Sequence, residues 1–318
     1  MKTAFVIGEA LVDIVHTAHG TTRSAGGSPR NVAVGLARLG MPTTLSTRIG
    51  LDASGGHMVR DLEQSGVGIT DRSLHRGRTS TATVRLNPVG DALYDFDVDW
   101  EWNDSIADDA SIVHTGSLAT SLAPGADDVV SSLAFLTSRS RNPPLVSFDP
   151  NIRPSFIDSP ARLRARVDAL ASMADVVKMS HEDAAWLHPG TSVDEVIDIY
   201  LQKGAGVVAI TLGPDGCVLT AGGVPIVRLP AFPVQVEDTI GGGDAFMSGM
   251  LFAIAHLDLD SVIRTRAIGG GQLRLIAHTA LLTARATVAR AGAQPPTLSE
   301  LAMSAIDMLA CADGSPAT

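Results

Sequence analysis

Residues 237–246 read Glu237-Asp238-Thr239-Ile240-Gly241-Gly242-Gly243-Asp244-Ala245-Phe246, three glycines that run into an apolar, helix-like stretch. Glycines let a backbone turn with its N–H groups facing one point, and a helix start adds the positive end of its dipole, so the pair suits an anion. A carboxylate at the mouth of such a site needs a reason to be there. Beside a bound phosphoryl group, Asp244 can accept a proton from an attacking hydroxyl. Gly241, Gly242 and Gly243 then offer amides to the charge that spreads over the phosphoryl oxygens. Taken alone, the same residues also suit a plain turn followed by an acid in the first turn of a helix, where acids are favoured. A second run, Gly269, Gly270 and Gly271, has no acid after it and reads as a loop.

The other chemistry-bearing segment is Ala25-Gly26-Gly27-Ser28-Pro29-Arg30-Asn31, continued by an apolar helical pattern and then by Ile49, Gly50 and Asp52. Gly26 and Gly27 allow a ligand to approach the backbone, and Asn31 carries both a donor and an acceptor, as a polyol hydroxyl requires. A tight turn and a capped helix account for these residues equally well. The histidines, His57 and His114 among them, have no partner spacing that suggests a metal or a nucleophilic triad.

The elements that must position these segments follow from apolar patterning. Runs at 4–7, 112–114, 145–148, 176–179 and 207–212 alternate with helical patterns at 31–39, 58–64, 163–173, 193–203 and 245–255. That alternation is the sequence form of βα units around a parallel sheet. Ser28 reads as the cap of the first helix, Pro29 as its first turn and Gly40 as its end. Segments 11–24 and 80–99 break the rhythm. Alternation such as Thr81-Ala82-Thr83-Val84-Arg85-Leu86 predicts antiparallel strands with one wet face, in a small sheet outside the main one. No linker divides the chain, so one domain over 1–318 is expected, with 312–318 a loose tail.

Composition narrows the function classes. Apolar residues at 45% and charged residues at 18% supply a core and exclude a disordered chain. The formal net charge of -10 argues against nucleic acid as a partner but leaves a nucleotide open, because a few local groups decide that binding. Two cysteines, Cys217 and Cys311, form neither a disulfide framework nor a zinc spacing and fit a reducing cytoplasm. Residues 1–8 lack the features of a signal peptide, and the longest apolar stretch, 246–257, is too short to span a bilayer, so no membrane partner is expected. No Gly-x-Gly-x-x-Gly follows the first strand and no Walker motif is present, which disfavours a dinucleotide oxidoreductase.

Together the two glycine segments resemble the signature regions of the ribokinase-like (PfkB) carbohydrate kinases. These are a glycine pair with Asn31 near the N-terminus, and Asp-Thr-x-Gly-x-Gly-Asp-Ala-Phe near the C-terminus. The resemblance runs from Phe5 to about Gly292. It implies an α/β chain with a three-layer α/β/α fold, a central mainly parallel sheet and a small β-sheet lid. It also implies ATP and magnesium as cofactors, with potassium as a further ion, Asp244 as the catalytic base and Gly241, Gly242 and Gly243 as the anion hole.

Gly8-Glu9-Ala10-Leu11-Val12-Asp13 is similar to the opening of family fructokinases, which assigns Asp13, with Gly26, Gly27 and Asn31, to the sugar. Asp149-Pro150-Asn151-Ile152-Arg153-Pro154 resembles a fructokinase motif and gives Arg153 the transferring phosphoryl group, with an ion pair to Asp149 or Asp158 as the alternative. Thr211-Leu212-Gly213-Pro214-Asp215-Gly216 looks like the family loop beside the nucleotide, so Thr211, Gly213 and Gly216 join Lys178 there. The family usually carries Asn-x-x-Glu near Lys178, whereas this chain has Ser180-His181-Glu182-Asp183. That departure leaves magnesium to Asp183 or Glu182, acting through water. Asp238 and Ile240 match positions that supply oxygens to a monovalent cation in many relatives.

The resemblance therefore implies an ATP-dependent sugar kinase acting on a primary hydroxyl, with fructose as the leading acceptor. A kinase of the same family acting on 2-keto-3-deoxygluconate, ribose or a nucleoside stays open, as does a non-catalytic sugar-sensing protein. Tyr94, Phe96 and Trp100 are the stacking candidates for a nucleoside. The expected partners are a small sugar and ATP, and a homodimer is left open.

Overall fold

Alternate residues of the apolar strands enter different cores, which is why both faces of the sheet are covered. Ala4, Val176 and Val207 point into one core, whereas Phe5, Val177 and Val208 point into the other. The computed structural model describes residues 1–17, 20–86, 92–139, 143–157 and 159–302, so the expected tail lies outside the described residues.

Among the described residues the main sheet has nine strands. In order across the sheet they are Val227–Leu229, Cys217–Ala221, Val207–Thr211, Val176–Ser180, Leu145–Asp149, Ile112–Gly116, Ala4–Ile7, Thr43–Ser46 and Val67–Ile69. The strand Cys217–Ala221 pairs antiparallel with both neighbours, and all other pairs are parallel. On one face lie the helices Ser28–Arg38, Gly242–His256 and Gly270–Val288; on the other lie Gly125–Arg139, Pro160–Ala171, His181–Leu187 and Val193–Lys203. The result is the three-layer α/β/α arrangement. No helix among the described residues is long and apolar enough to cross a membrane.

A separate four-stranded sheet forms from the two segments that broke the rhythm, in the order Gly20–Gly26, Leu11–Thr17, Thr81–Leu86, Ala92–Asp97. Its outer pairs are antiparallel, but its central pair, which aligns Asp13 with Ala82, is parallel and corrects the antiparallel expectation. Leu11 and Ala82 pack with Leu118 from the main body, with Phe96 and Phe156 against them, and so seat this sheet over the strand ends.

Two local readings change. Gly27 rather than Ser28 is the N-cap of the first helix, and the Ser28 hydroxyl is used elsewhere. Gly269, Gly270 and Gly271 do not form a loop; Gly270 and Gly271 open a helix because the Gln272 side chain reaches back to the Gly269 amide at 2.9 Å.

Three helices on the first face meet through small residues. A Cβ on Gly35 would stand 2.3 Å from Ser248 Oγ, and one on Gly249 would stand 2.5 Å from Thr283 Oγ1 and 3.0 Å from Ala280 Cα. Gly249→Ala gains about 1 kcal/mol of helix propensity but overpacks a backbone contact at about 1–3 kcal/mol. The thermal midpoint should therefore fall by a few degrees. Gly271→Ala, with no neighbour within 4 Å, should not lower it. Calorimetry of the two variants checks this, and an unchanged Gly249→Ala midpoint refutes the close-packing argument.

Candidate active site

Parallel strands leave their ligands at their carboxyl ends. Here Glu9, Ser117, Arg153, Ser180 and Thr211 follow or end five such strands and line one cavity of about 520 Å³, with Leu11, Asp13 and Phe96 of the small sheet on the opposite wall. A larger cavity of about 660 Å³ lies outside it, against the Ala53–Gln64 helix. It contains none of the residues assigned above.

The two glycine segments meet in the smaller cavity. Gly241 is left-handed, with φ 76° and ψ 0°, and a Cβ there would stand 2.6 Å from Ala293 Cβ, so glycine is required. The Gly242–His256 helix starts from this turn, and Asp244 occupies its first turn with 8% of its surface exposed. Ser28 Oγ donates to Asp244 Oδ1 at 2.6 Å, and Asn31 Nδ2 donates to Oδ2 at 2.8 Å. Each carboxylate oxygen retains a lone pair for a further donor.

The glycine amides divide into two kinds. The Gly242 amide closes a turn on the Thr239 carbonyl at 3.2 Å, whereas those of Gly241, Gly243 and Asp244 meet no acceptor among the described residues. Lys178 Nζ lies 3.0 Å from the point where a Gly243 Cβ would stand. It is buried and paired with Asp149 Oδ2 at 2.9 Å. Burial alone would lower its pKa, but Asp149, Asp244 and Asp183 outweigh that and hold it above the ordinary lysine value. Free amides, a helix start and a fixed ammonium together suit a phosphoryl group.

On the opposite wall Asp13 is half-buried, and Gly26 permits its position, since a Cβ there would stand 2.0 Å from Asp13 Oδ2. Burial pushes the Asp13 carboxyl up to about 6 against the opposing charges of Arg153 and Arg30. Glu9, assigned no role from sequence, is buried in the same cavity just after the first strand; it accepts from the Ala119 amide at 3.1 Å, and burial pushes it up to about 7. Its position directly after the first strand was the available signal. Gly27 and Asn31 line the cavity as well.

Other assigned residues divide between the cavity and its supports. Arg153 is exposed and faces the cavity. Asp149, its alternative partner, pairs with Lys178 instead, and Asp158 lies outside the described residues. Thr211, Gly213 and Ile240 line the cavity, while the Gly216 carbonyl accepts from Leu212 at 2.8 Å and closes the turn behind Gly213. Glu182 is exposed on the rim. Asp183 lines the cavity as well, and it accepts from the Ile152 amide at 2.8 Å and from the Ser180 amide and hydroxyl at 3.0 and 2.8 Å.

The Asp238 carboxylate likewise accepts from the amides of Ile240 and Gly292, at 3.0 and 2.8 Å. No group of three or more His, Cys, Asp or Glu among the described residues is placed to hold a metal. Trp100 is buried with Nε1 donating to the Ala119 carbonyl, which removes it as a stacking partner, and the Tyr94 side chain lies outside the described residues.

Comparison with known proteins supplies the context for this geometry. A fructokinase of Salmonella typhimurium is 31% identical over 264 residues, covering 79% of this chain and 84% of that one. The structure of an ATP-bound fructokinase from Xylella fastidiosa superposes with a TM-score of 0.81 at 26% identity, over 96% of this chain and 99% of that one. A double mutant of the Vibrio cholerae O395 fructokinase, solved with fructose, ADP and a potassium ion, gives 0.78 at 25% identity, over 95% and 98%. The fold is thus ribokinase-like, and the model of the pfkB family carbohydrate kinases matches residues 1–300. That match, over a chain whose glycine turn carries Asp244 and joins it by a hydrogen bond to Asn31, shows that this chain belongs to the pfkB family of carbohydrate kinases.

Proposed function

We propose that this kinase transfers the γ-phosphoryl group of ATP to a primary hydroxyl of fructose, with Asp244 as the base. The observation that carries the reading is the position of Asp244: a buried carboxylate held by Ser28 and Asn31, beside unengaged amides and the Lys178 ammonium. Asp13, Glu9 and Asn31 hold the sugar. Asp244 takes the hydroxyl proton as the oxygen attacks the γ-phosphorus in line; the bond to the bridging oxygen breaks and ADP leaves. The Gly243 and Asp244 amides, Lys178 and Arg153 receive the charge on the phosphoryl oxygens.

Magnesium brought in with the nucleotide would supply further charge neutralisation, and it often needs few direct protein carboxylates. Glu182 on the rim, or Asp183, whose Oδ1 accepts from the Ile152 amide and keeps a lone pair, would reach it through water. Thr211 and Gly213 border the nucleotide. A monovalent cation near residues 238–240 would use backbone carbonyls of Asp238 and Ile240, because the Asp238 side chain is engaged. The cytoplasmic assignment rests on cysteine usage; the Cys217 thiol is buried in a strand and pushed up to about 12.

Two acids on the sugar wall favour a neutral polyol over a sugar acid. Of the stacking candidates for a nucleoside, Trp100 is buried and engaged while Phe96 lines the cavity, so nucleosides belong in the substrate panel. Incubation with magnesium, ATP and a panel of fructose, ribose, 2-keto-3-deoxygluconate and nucleosides, followed by ADP release, should give the highest kcat/KM with fructose. Release driven by a nucleoside and by no sugar overturns the assignment.

The Asp13 carboxyl is raised to about 6, so it is charged above that pH and loses its charge as pH falls through it. Sugar affinity, measured by calorimetry, should weaken by about tenfold from pH 7 to pH 5, the size of a charge-assisted hydrogen bond. Asp13→Asn should bind weakly and flatten the dependence near pH 6. An equally steep profile in Asp13→Asn assigns the titration to another group.

A further inference from the structure

The Asn31 amide that holds Asp244 has a second partner. Arg30 Nη1 donates to Asn31 Oδ1 at 2.9 Å, while Arg30 Nη2 pairs with Asp61 on the neighbouring Ala53–Gln64 helix. Arg30 stands where a cation is doubly disfavoured: it is 4% exposed, and it lies in the first turn of the Ser28–Arg38 helix, at the positive end of the dipole. Its Nε is buried with no hydrogen-bond partner among the described residues. A residue that breaks two local rules is expected to return something at a functional site.

From these contacts we infer that Arg30 is a positioning residue for the base, acting through Asn31. The two ends of an asparagine amide have nearly the same shape, and only their partners decide which end faces where. A guanidinium has donors and no acceptor, so it holds Oδ1 and turns Nδ2 toward Asp244. In the flipped orientation, Oδ1 would face the Asp244 carboxylate and the amide donors would face the guanidinium. Asp61 fixes the far end of Arg30. The chain Asp61, Arg30, Asn31, Asp244 thus runs from a half-exposed side chain beside the outer cavity to the base. Arg30 touches no substrate in this account, which rests on the reading of Asp244 as the base.

Coupled substitutions test the relay. Arg30→Met, which keeps an apolar stem of similar length, is measured with Asn31 present and in the Asn31→Ala background. With Asn31 present, kcat should fall by about tenfold, a common size for coupling within one hydrogen-bond network, with KM for ATP unchanged. In the Asn31→Ala background the same substitution should cause little further loss. Equal losses in both backgrounds, or none in either, overturn the relay. Equal losses would instead fit action through Asp13, whose charge Arg30 also favours. If Arg30→Met does not fold, Asp61→Asn, which leaves the buried guanidinium in place, carries the same comparison: a loss confined to the Asn31 background supports the relay and any other pattern overturns it. An inactive wild-type protein refutes the kinase reading itself, whereas an active one with uncoupled losses refutes only the relay.

Discussion

A carboxylate removed from water must find donors or lose its charge, and the two donors that Asp244 finds come from a helix more than 210 residues away in sequence. That interaction constrains the first helical layer. Ser28 and Asn31 reach Asp244 only if the Ser28–Arg38 and Gly242–His256 helices approach closely, and Gly35 against Ser248 allows it. The Gly242–His256 helix is in turn seated on Gly270–Val288 through Gly249. Small residues at these contacts replace side-chain bulk with fixed distance, which holds the Asp244 carboxylate in a defined position, as the proposed base requires.

The second half of the site is set by sheet register. Pairing of Phe148 with Val177 brings Asp149 alongside Lys178, and their ion pair fixes an ammonium next to the glycine turn. An isolated lysine with 4% exposure would tend to shed its proton. Paired with Asp149, it stays charged, so a positive charge stands ready for the phosphoryl group without reorganisation. The small sheet closes the opposite wall with Asp13 and Phe96. The glycine turn with Lys178 and the wall with Asp13 thus come from different parts of the chain and meet across one cavity, the two halves that the proposed reaction needs.

How much of this was legible follows from how local each feature is. The Gly241 turn and the helix start at Asp244 could be read because they lie within a few residues, and the parallel sheet because each buried strand is an apolar run; Asn31 was assigned to the sugar, and its contacts with Asp244 and Arg30 could not be read. Features created by packing left no local trace. The Lys178–Asp149 pair depends on register, and the Arg30–Asp61 pair joins two helices that sequence alone does not bring together. Ser28 before Pro29 suits a helix cap and a ligand of Asp244 equally well, and only the approach of a second helix decides between them. The parallel pairing of residues 12–16 with 81–85 was missed because alternation reports exposure, not strand direction. The glycines at 269–271 were read as a loop because no acid follows them, whereas the Gln272 contact and the apolar face of the residues beyond make them a helix start.

The central claim is that Asp244 removes the proton from the acceptor hydroxyl. Asp244→Asn keeps the size of the side chain and its place at the helix start but lacks the basicity, so the most direct measurement is kcat of this variant with saturating sugar and ATP. It should fall by about 10² to 10⁴, the worth of general base catalysis, while sugar affinity and thermal midpoint change little. A folded Asp244→Asn protein that keeps more than about a third of normal kcat, far outside that range, would contradict the account.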